Sequence, residues 1–215
     1  MEAFKQMQDL AMRANEPLHP DLALCVIDMD MFQMVQHPLV HTFYMPGQAA
    51  MLNDIYRQKK RAWDGYVAAD RWDIIIDVLV EKPHRLDALL QHGHKIRSNK
   101  LFWEAVASVW TSMEYFHDQL EAWDEVFATV RTGRLSMMDE DEQAKLAAMD
   151  DEIEVFRGGD DTGYSWTVNK TIAQWFAARF GAGHDIHTRT IPKSEVIAYL
   201  DQRNEEEIIW RPTNS

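Results

Sequence analysis

Hydrophobic spacing divides the chain into two textures. Through residues 1–150 the apolar positions recur at three- and four-residue steps, which is the period of a helix with one buried stripe. Trp103, Val106, Trp110 and Met113 keep that step in "LFWEAVASVWTSMEYFHDQLEAW". Leu86, Leu89 and Leu90 keep it in "PHRLDALLQHGHKI", which opens on Pro83 and has Gly93 as its stop, and "MPGQAAMLNDIYRQKKRAW" reads the same way. Turn residues at Pro17, Pro20, Pro38, Pro46-Gly47 and Gly133 separate these helices.

After "LSMMDEDEQAKLAAMDDE" the texture changes to short β-prone runs: "IEVF", "YSWTV", "DIHTRTI", "EVIAYL" and "EEIIW". One helix interrupts them. In "NKTIAQWFAARFG", Asn169 caps the start, Ile172, Trp175, Phe176 and Phe180 share a face, and Gly181 ends it. The expected class is α+β, with a mostly helical region at 1–150 joined to a small strand-rich unit at 151–215, the two forming one cohesive body.

Composition narrows the function. The chain has 215 residues, 46% hydrophobic and 27% charged, with eight Trp and twelve Met to fill a core. Twenty-two Lys and Arg face 35 Asp and Glu for a net charge of −13, the reverse of what a nucleic-acid surface needs. Residues 151–215 alone hold seven basic and eleven acidic side chains. A lone Cys25 in "LALCVI" excludes an internal disulfide and reads as a buried small hydrophobe. The start, "MEAFKQMQDLAMRAN", lacks the form of a signal peptide, and no stretch reaches the roughly 18 apolar residues of a membrane span. The expectation is a cytoplasmic protein.

Candidate chemistry lies in the strand-rich part. Glu205 and Glu207, if they enter a strand, face one way while Glu206 faces the other. Like charges so placed repel unless a cation or a function compensates. Paired carboxylates can flank a sugar-like centre, one stabilising an oxocarbenium-like transition state while the other prepares the attacking group. Arg157 with Gly158 and Gly159 offers a forked cation beside backbone that a planar ligand can approach. Ser165 and Thr167 flank Trp166, so both hydroxyls leave one side of a strand.

In this order, "VFRGG", "GYSWT", "IAQWFAARFG", "KSEVIAYL" and "RNEEEIIW" resemble the arginine-serine-glutamate class of mono-ADP-ribosyltransferases, in particular small transferases of phages and bacteria. The resemblance spans roughly residues 153–210. It implies a split β-sandwich binding NAD as substrate, with no metal. Arg157 would hold the NAD phosphates or neighbouring ribose, the Gly158 backbone the nicotinamide amide, and Phe176 part of the cofactor pocket. Ser165 would orient the catalytic carboxylate, and Thr167 would complete the hydroxyl strand. Glu207 would bind the ribose 2′-OH and stabilise the oxocarbenium ion, and Glu205 would prepare the acceptor. A glutamate at position 205 points to an arginine acceptor on a protein, which the acidic surface would attract if that partner is basic. So short a core implies that the N-terminal helices cover one side of the sheet or supply part of the cleft.

Three other readings share these residues. Water as acceptor would make an NAD glycohydrolase, a nucleic-acid acceptor is disfavoured by charge, and a degenerate transferase fold would leave a non-enzymatic helical interaction protein. The glycines of "RFGAGHDIHTR" suit a flap that closes over nicotinamide. Elsewhere, His37 and His41 in "HPLVH" read as a helix-start pair rather than metal ligands, and His92 and His94 as a polar helix end. "DMDMF" and "DEDE" read as solvated faces, and Phe102, Trp103, Trp110, Tyr115 and Phe116 as core packing.

Overall fold

A computed structural model describes residues 13, 15–45, 47–113, 119–179 and 185–212. Tyr115, Phe116, Phe180, Gly181 and most of the glycine-bearing loop after them lie outside the described residues, as does Pro46. The fold is mixed α+β. It divides into two compact units, Met1–Ile96 and Arg97–Ser215.

The first unit adds strands to a sequence that reads as mostly helical. After a single helical turn at Pro20–Ala23 come β1 (Val26–Met29), β2 (Phe32–His37) and β3 (Val40–Tyr44), an antiparallel meander in the order β1-β2-β3. Asp30 makes the first turn with φ 54°, a left-handed conformation that a short polar side chain tolerates. "HPLVH" is the second turn. His37 pairs with Val40 and Gln36 with His41, and His37 Nδ1 accepts the Leu39 N–H at 3.0 Å. The β-branched and aromatic residues here, Val26, Ile27, Val35, Val40, Thr42, Phe43 and Tyr44, pack on a pleated surface better than on a helix. Cys25, expected inside, is half-buried. "DMDMF" does fall at an exposed turn.

Helix α1 (Ala49–Ala68) buries only its first two turns, through Ala49, Ala50, Leu52, Asn53 and Tyr56. The buried Asn53 amide is fully used: its oxygen accepts the His19 N–H at 2.6 Å, and its nitrogen donates to Glu16 Oε1 and the Pro17 carbonyl, each at 2.9 Å. Trp72–Ile74 runs into a π-helical turn, Ile75–Leu79, and α2 (Arg85–His92) completes the unit.

The second unit joins helices to the sheet. These are α3 (Asn99–Ser112), α4 (Leu120–Phe127) and α5 (Glu140–Ala148), followed by β4 (Glu152–Gly158), β5 (Ser165–Thr167), α6 (Lys170–Arg179), β6 (Ile186–Pro192), β7 (Ala198–Leu200) and β8 (Glu207–Ile209). The two compact units divide at 96/97, upstream of the change in sequence texture at 150/151. The described residues of this unit form a five-stranded sheet, order β6-β4-β5-β8-β7, with every pairing antiparallel.

Packing explains the new boundary. Helix α3 buries Phe102, Trp103, Val106, Val109 and Trp110. Trp110 meets Trp123 and Phe127 of α4 and Tyr164 beside β5 at ring separations of 4.8 to 6.2 Å, so a single aromatic core is shared by helices and sheet.

Helix α6 buries Ala173 and Ala177 against β4, whereas Trp175 is 59% exposed, which corrects the expected Ile172/Trp175/Phe176 stripe. The small residues allow close approach. A Cβ on Gly158 would come within 2.5 Å of the Ala177 nitrogen and collide with the Ala173 carbonyl. Gly158 is thus glycine because a helix lies on it.

Of "DEDE", Asp139, Glu140 and Asp141 are exposed as expected, and Glu142 is the exception. Asp139 and Glu142 form a reciprocal capping box on α5, and Glu142 is buried, its Oε1 accepting the Asp201 N–H at 2.8 Å.

Candidate functional site

Strands β4, β5 and β8 bring the expected site residues together. Phe156 of β4 pairs with Thr167 of β5, which pairs with Glu207 of β8. Phe156–Thr167 is the one register pair between β4 and β5; beyond it the strands part. Arg157 takes over there with its side chain. Its Nη1 donates to the Ser165 carbonyl at 2.5 Å and its Nε to the Asp160 carbonyl at 2.7 Å, and its Nη2 lies 3.6 Å from Asp160 Oδ2. The guanidinium rests on Gly163, where a Cβ would come within 2.6 Å of Cζ. Burial pushes the Arg157 pKa down, and the charges of Asp160 and Glu207 oppose that shift.

Glu207 is the electrostatic centre. It is buried at 3% exposure in a central strand. The Ser165 hydroxyl donates to its Oε1 and the Trp110 indole N–H to its Oε2 at 3.2 Å. Arg203 Nη2 lies 3.5 Å from the same Oε2. Desolvation raises the Glu207 pKa above the ordinary carboxyl value, while the Ser165 hydrogen bond, the Arg203 charge and the Trp110 donor each pull it back.

Glu205 does not share a strand face with Glu207. The strand begins only at Glu207, and the preceding turn carries Asn204 and Glu206 with φ of 54° and 45°. Glu205 nevertheless meets Glu207 through one cation: Arg203 Nη2 is 2.8 Å from Glu205 Oε2. The cation that two neighbouring carboxylates require is therefore supplied from within "DQRNEEE" itself.

That turn is held from both sides. Asp201 Oδ1 accepts the Glu206 N–H at 3.3 Å, and Lys145 of α5 reaches Asp201 Oδ2 at 2.5 Å. The Thr167 hydroxyl donates to the Glu205 carbonyl at 2.8 Å and accepts the Asn169 N–H at 3.0 Å, tying the turn to the start of α6. Thr167, expected at the cofactor, is thereby committed to the fold. Phe176 is half-buried on α6, edge-on to Trp175 at 4.9 Å.

Two site residues escaped the reading of the sequence. Trp110 was assigned to packing alone, and its bond to Glu207 crosses 97 positions of sequence, so no local pattern could reveal it. Arg203 was legible as the one cation beside three glutamates. Among the described residues no group of three or more His, Cys, Asp or Glu is placed to hold a metal ion, and no helix is long and apolar enough to cross a membrane.

Comparison of the chain with protein-family models, curated proteins and solved structures returns no match.

Proposed function

We propose that the chain is a mono-ADP-ribosyltransferase that moves ADP-ribose from NAD to an arginine of a protein acceptor, releasing nicotinamide. The observation that carries this reading is the buried Glu207 carboxylate, fixed by Ser165 and Trp110 and sharing one guanidinium with Glu205. A carboxylate so fixed suits a developing positive charge at an anomeric carbon, because its dipoles and charges need not reorganise during the reaction.

On this reading the C1′–nitrogen bond of the nicotinamide ribose breaks heterolytically. Its electron pair goes to the ring nitrogen, nicotinamide leaves neutral, and Glu207 stabilises the oxocarbenium ion. Ser165 holds Glu207 in orientation. Glu205 receives the proton that the acceptor guanidinium gives up as its nitrogen bonds to C1′. Arg157, at the parting of β4 and β5, lies where a pyrophosphate could exchange for its contact with Asp160. The Gly158 backbone and Phe176 would flank the nicotinamide. Thr167 serves by holding the Glu205 turn. A basic bacterial protein, met by a phage-encoded or bacterial enzyme inside the cell, suits the acidic chain as partner.

Incubation with NAD labelled in the adenylate part, plus a bacterial lysate, tests the reading. Label should appear on protein, and Glu207→Gln should lower nicotinamide release about 10²- to 10³-fold, as for loss of other electrostatic stabilisers. Glu205→Gln should depress transfer more than hydrolysis. Free ADP-ribose without protein label would instead indicate an NAD glycohydrolase, and absence of NAD binding by calorimetry would indicate an interaction protein.

A further inference from the structure

The side chain that bridges Glu205 and Glu207 is itself an arginine, Arg203. Arg203 Nη2 stands 2.8 Å from Glu205 Oε2 and 3.5 Å from Glu207 Oε2, with its side chain 36% exposed. A guanidinium shared by these two carboxylates is what the proposed reaction requires of an acceptor. The turn that presents it is braced by several contacts. Glu142 receives the Asp201 N–H, Lys145 pairs with the Asp201 carboxylate, and the Asn204 N–H closes onto the Asp201 carbonyl at 2.9 Å. Asn204 and Glu206 both adopt left-handed backbone, a conformation that strains a glutamate. The contacts around Asp201 and the ion pairs of Arg203 offset this strain, so Arg203 is held in place from both ends of the turn.

We propose that Arg203 is an internal acceptor: it occupies the place of a target arginine, and the chain ADP-ribosylates its own Arg203 when NAD binds. The proposal rests on the transferase reading of Glu205 and Glu207. In the step, the bond between C1′ and the nicotinamide nitrogen breaks and nicotinamide departs with the electron pair. A bond then forms between C1′ and an Arg203 guanidinium nitrogen, and the proton released passes to Glu205 and on to water. No oxidant or further reactant is needed. Until Arg203 is modified or displaced, it competes with arginines of other proteins for the same two carboxylates. Afterwards it carries a pyrophosphate, whose negative charge Glu205 and Glu207 repel.

The test uses the full-length chain with labelled NAD and no other protein. Nicotinamide release is followed in the same tubes, and the modified residue is located by peptide mass spectrometry with fragmentation that leaves the sugar attached. The expected result is one ADP-ribosyl group on Arg203, absent from Glu207→Gln and from Arg203→Lys, and suppressed by millimolar free arginine. Its rate per molecule should hold constant over a tenfold dilution of the protein, whereas transfer between molecules would slow tenfold. Glu207-dependent release of nicotinamide with Arg203 unlabelled overturns the proposal and leaves the transferase reading standing. Labelling that slows in proportion to dilution also overturns it. No release of nicotinamide at all removes both.

Discussion

Glu207 keeps three partners and still has a raised pKa, because the loss of water around a fully buried carboxylate outweighs one hydroxyl, one indole and one partly exposed guanidinium. The consequence for stability has a definite sign. A carboxyl whose folded pKa lies above its unfolded value binds its proton more tightly when folded, so it favours the fold below the unfolded value and progressively loses that advantage as pH rises through the folded pKa. Glu207→Gln removes this penalty while keeping both contacts, since the amide oxygen can accept from Trp110 and the Ser165 hydroxyl can turn to accept from the amide nitrogen. The variant should therefore be more stable than the parent at pH 8, with the gain fading toward pH 4. Thermal denaturation at the two pH values checks it. A residue whose removal stabilises the fold while abolishing nicotinamide release would be retained for chemistry. At this scale the sequence picked out Arg157, Ser165 and Glu207 as candidates by type and order, yet the engagement of Thr167 and the arrival of Trp110 depend on contacts that sequence spacing does not encode.

Among the elements, β4 and α6 are joined at a point where side chains are nearly absent. Gly158→Ala would drive a Cβ into the backbone of α6 at Ala173 and Ala177, and backbone cannot rotate aside as a side chain can. Overpacking of this kind costs about 1–3 kcal/mol. Urea denaturation should show that loss, and because Arg157 precedes Gly158, NAD binding should weaken with it. Gly163→Ala should act on Arg157 directly by displacing its guanidinium. The five strand runs of the second unit were legible because each is short, β-prone and bounded by turn residues. The three strands of the first unit were not recognised: their apolar residues are interleaved with His, Gln and Asp, and a hairpin turn in "HPLVH" has the same spacing as the first turn of a helix.

The whole molecule has two bodies that should answer to acid in opposite senses. In the first, burial lowers the pKa of His37 and of His84 below the usual histidine value. His84 shares a 3.0 Å contact with His41 and faces Asp87 and Glu81, and His37 faces Asp21, His19 and His84. A histidine with a depressed folded pKa stabilises the fold above its unfolded value of 6.5 and loses that contribution as pH falls through the folded pKa. Protection against hydrogen exchange, measured relative to the intrinsic rate at each pH, should accordingly fall in residues 26–92 between pH 7 and pH 5, while Glu207 in the second body gains stability over the same descent. The division also makes a prediction about fragments: Arg97–Ser215 should unfold cooperatively alone, and residues 151–215 should not, since they lack Trp103, Trp110 and Trp123. Calorimetry of the two fragments decides this.

By itself the sequence determined the mixed class, the strand runs and single helix of the C-terminal third, the net acidic charge, and the order Arg, Ser, Glu on which the functional reading depends. These are consequences of local spacing and side-chain chemistry. Only the tertiary structure decided that the helices from Asn99 onward belong with the sheet, that "DEDE" supplies a cap and a buried anchor, and that Arg203 lies between Glu205 and Glu207. The physical reason is that burial and convergence are properties of space: a carboxylate acquires its pKa, and a guanidinium its partners, from residues that the chain brings near only when it folds.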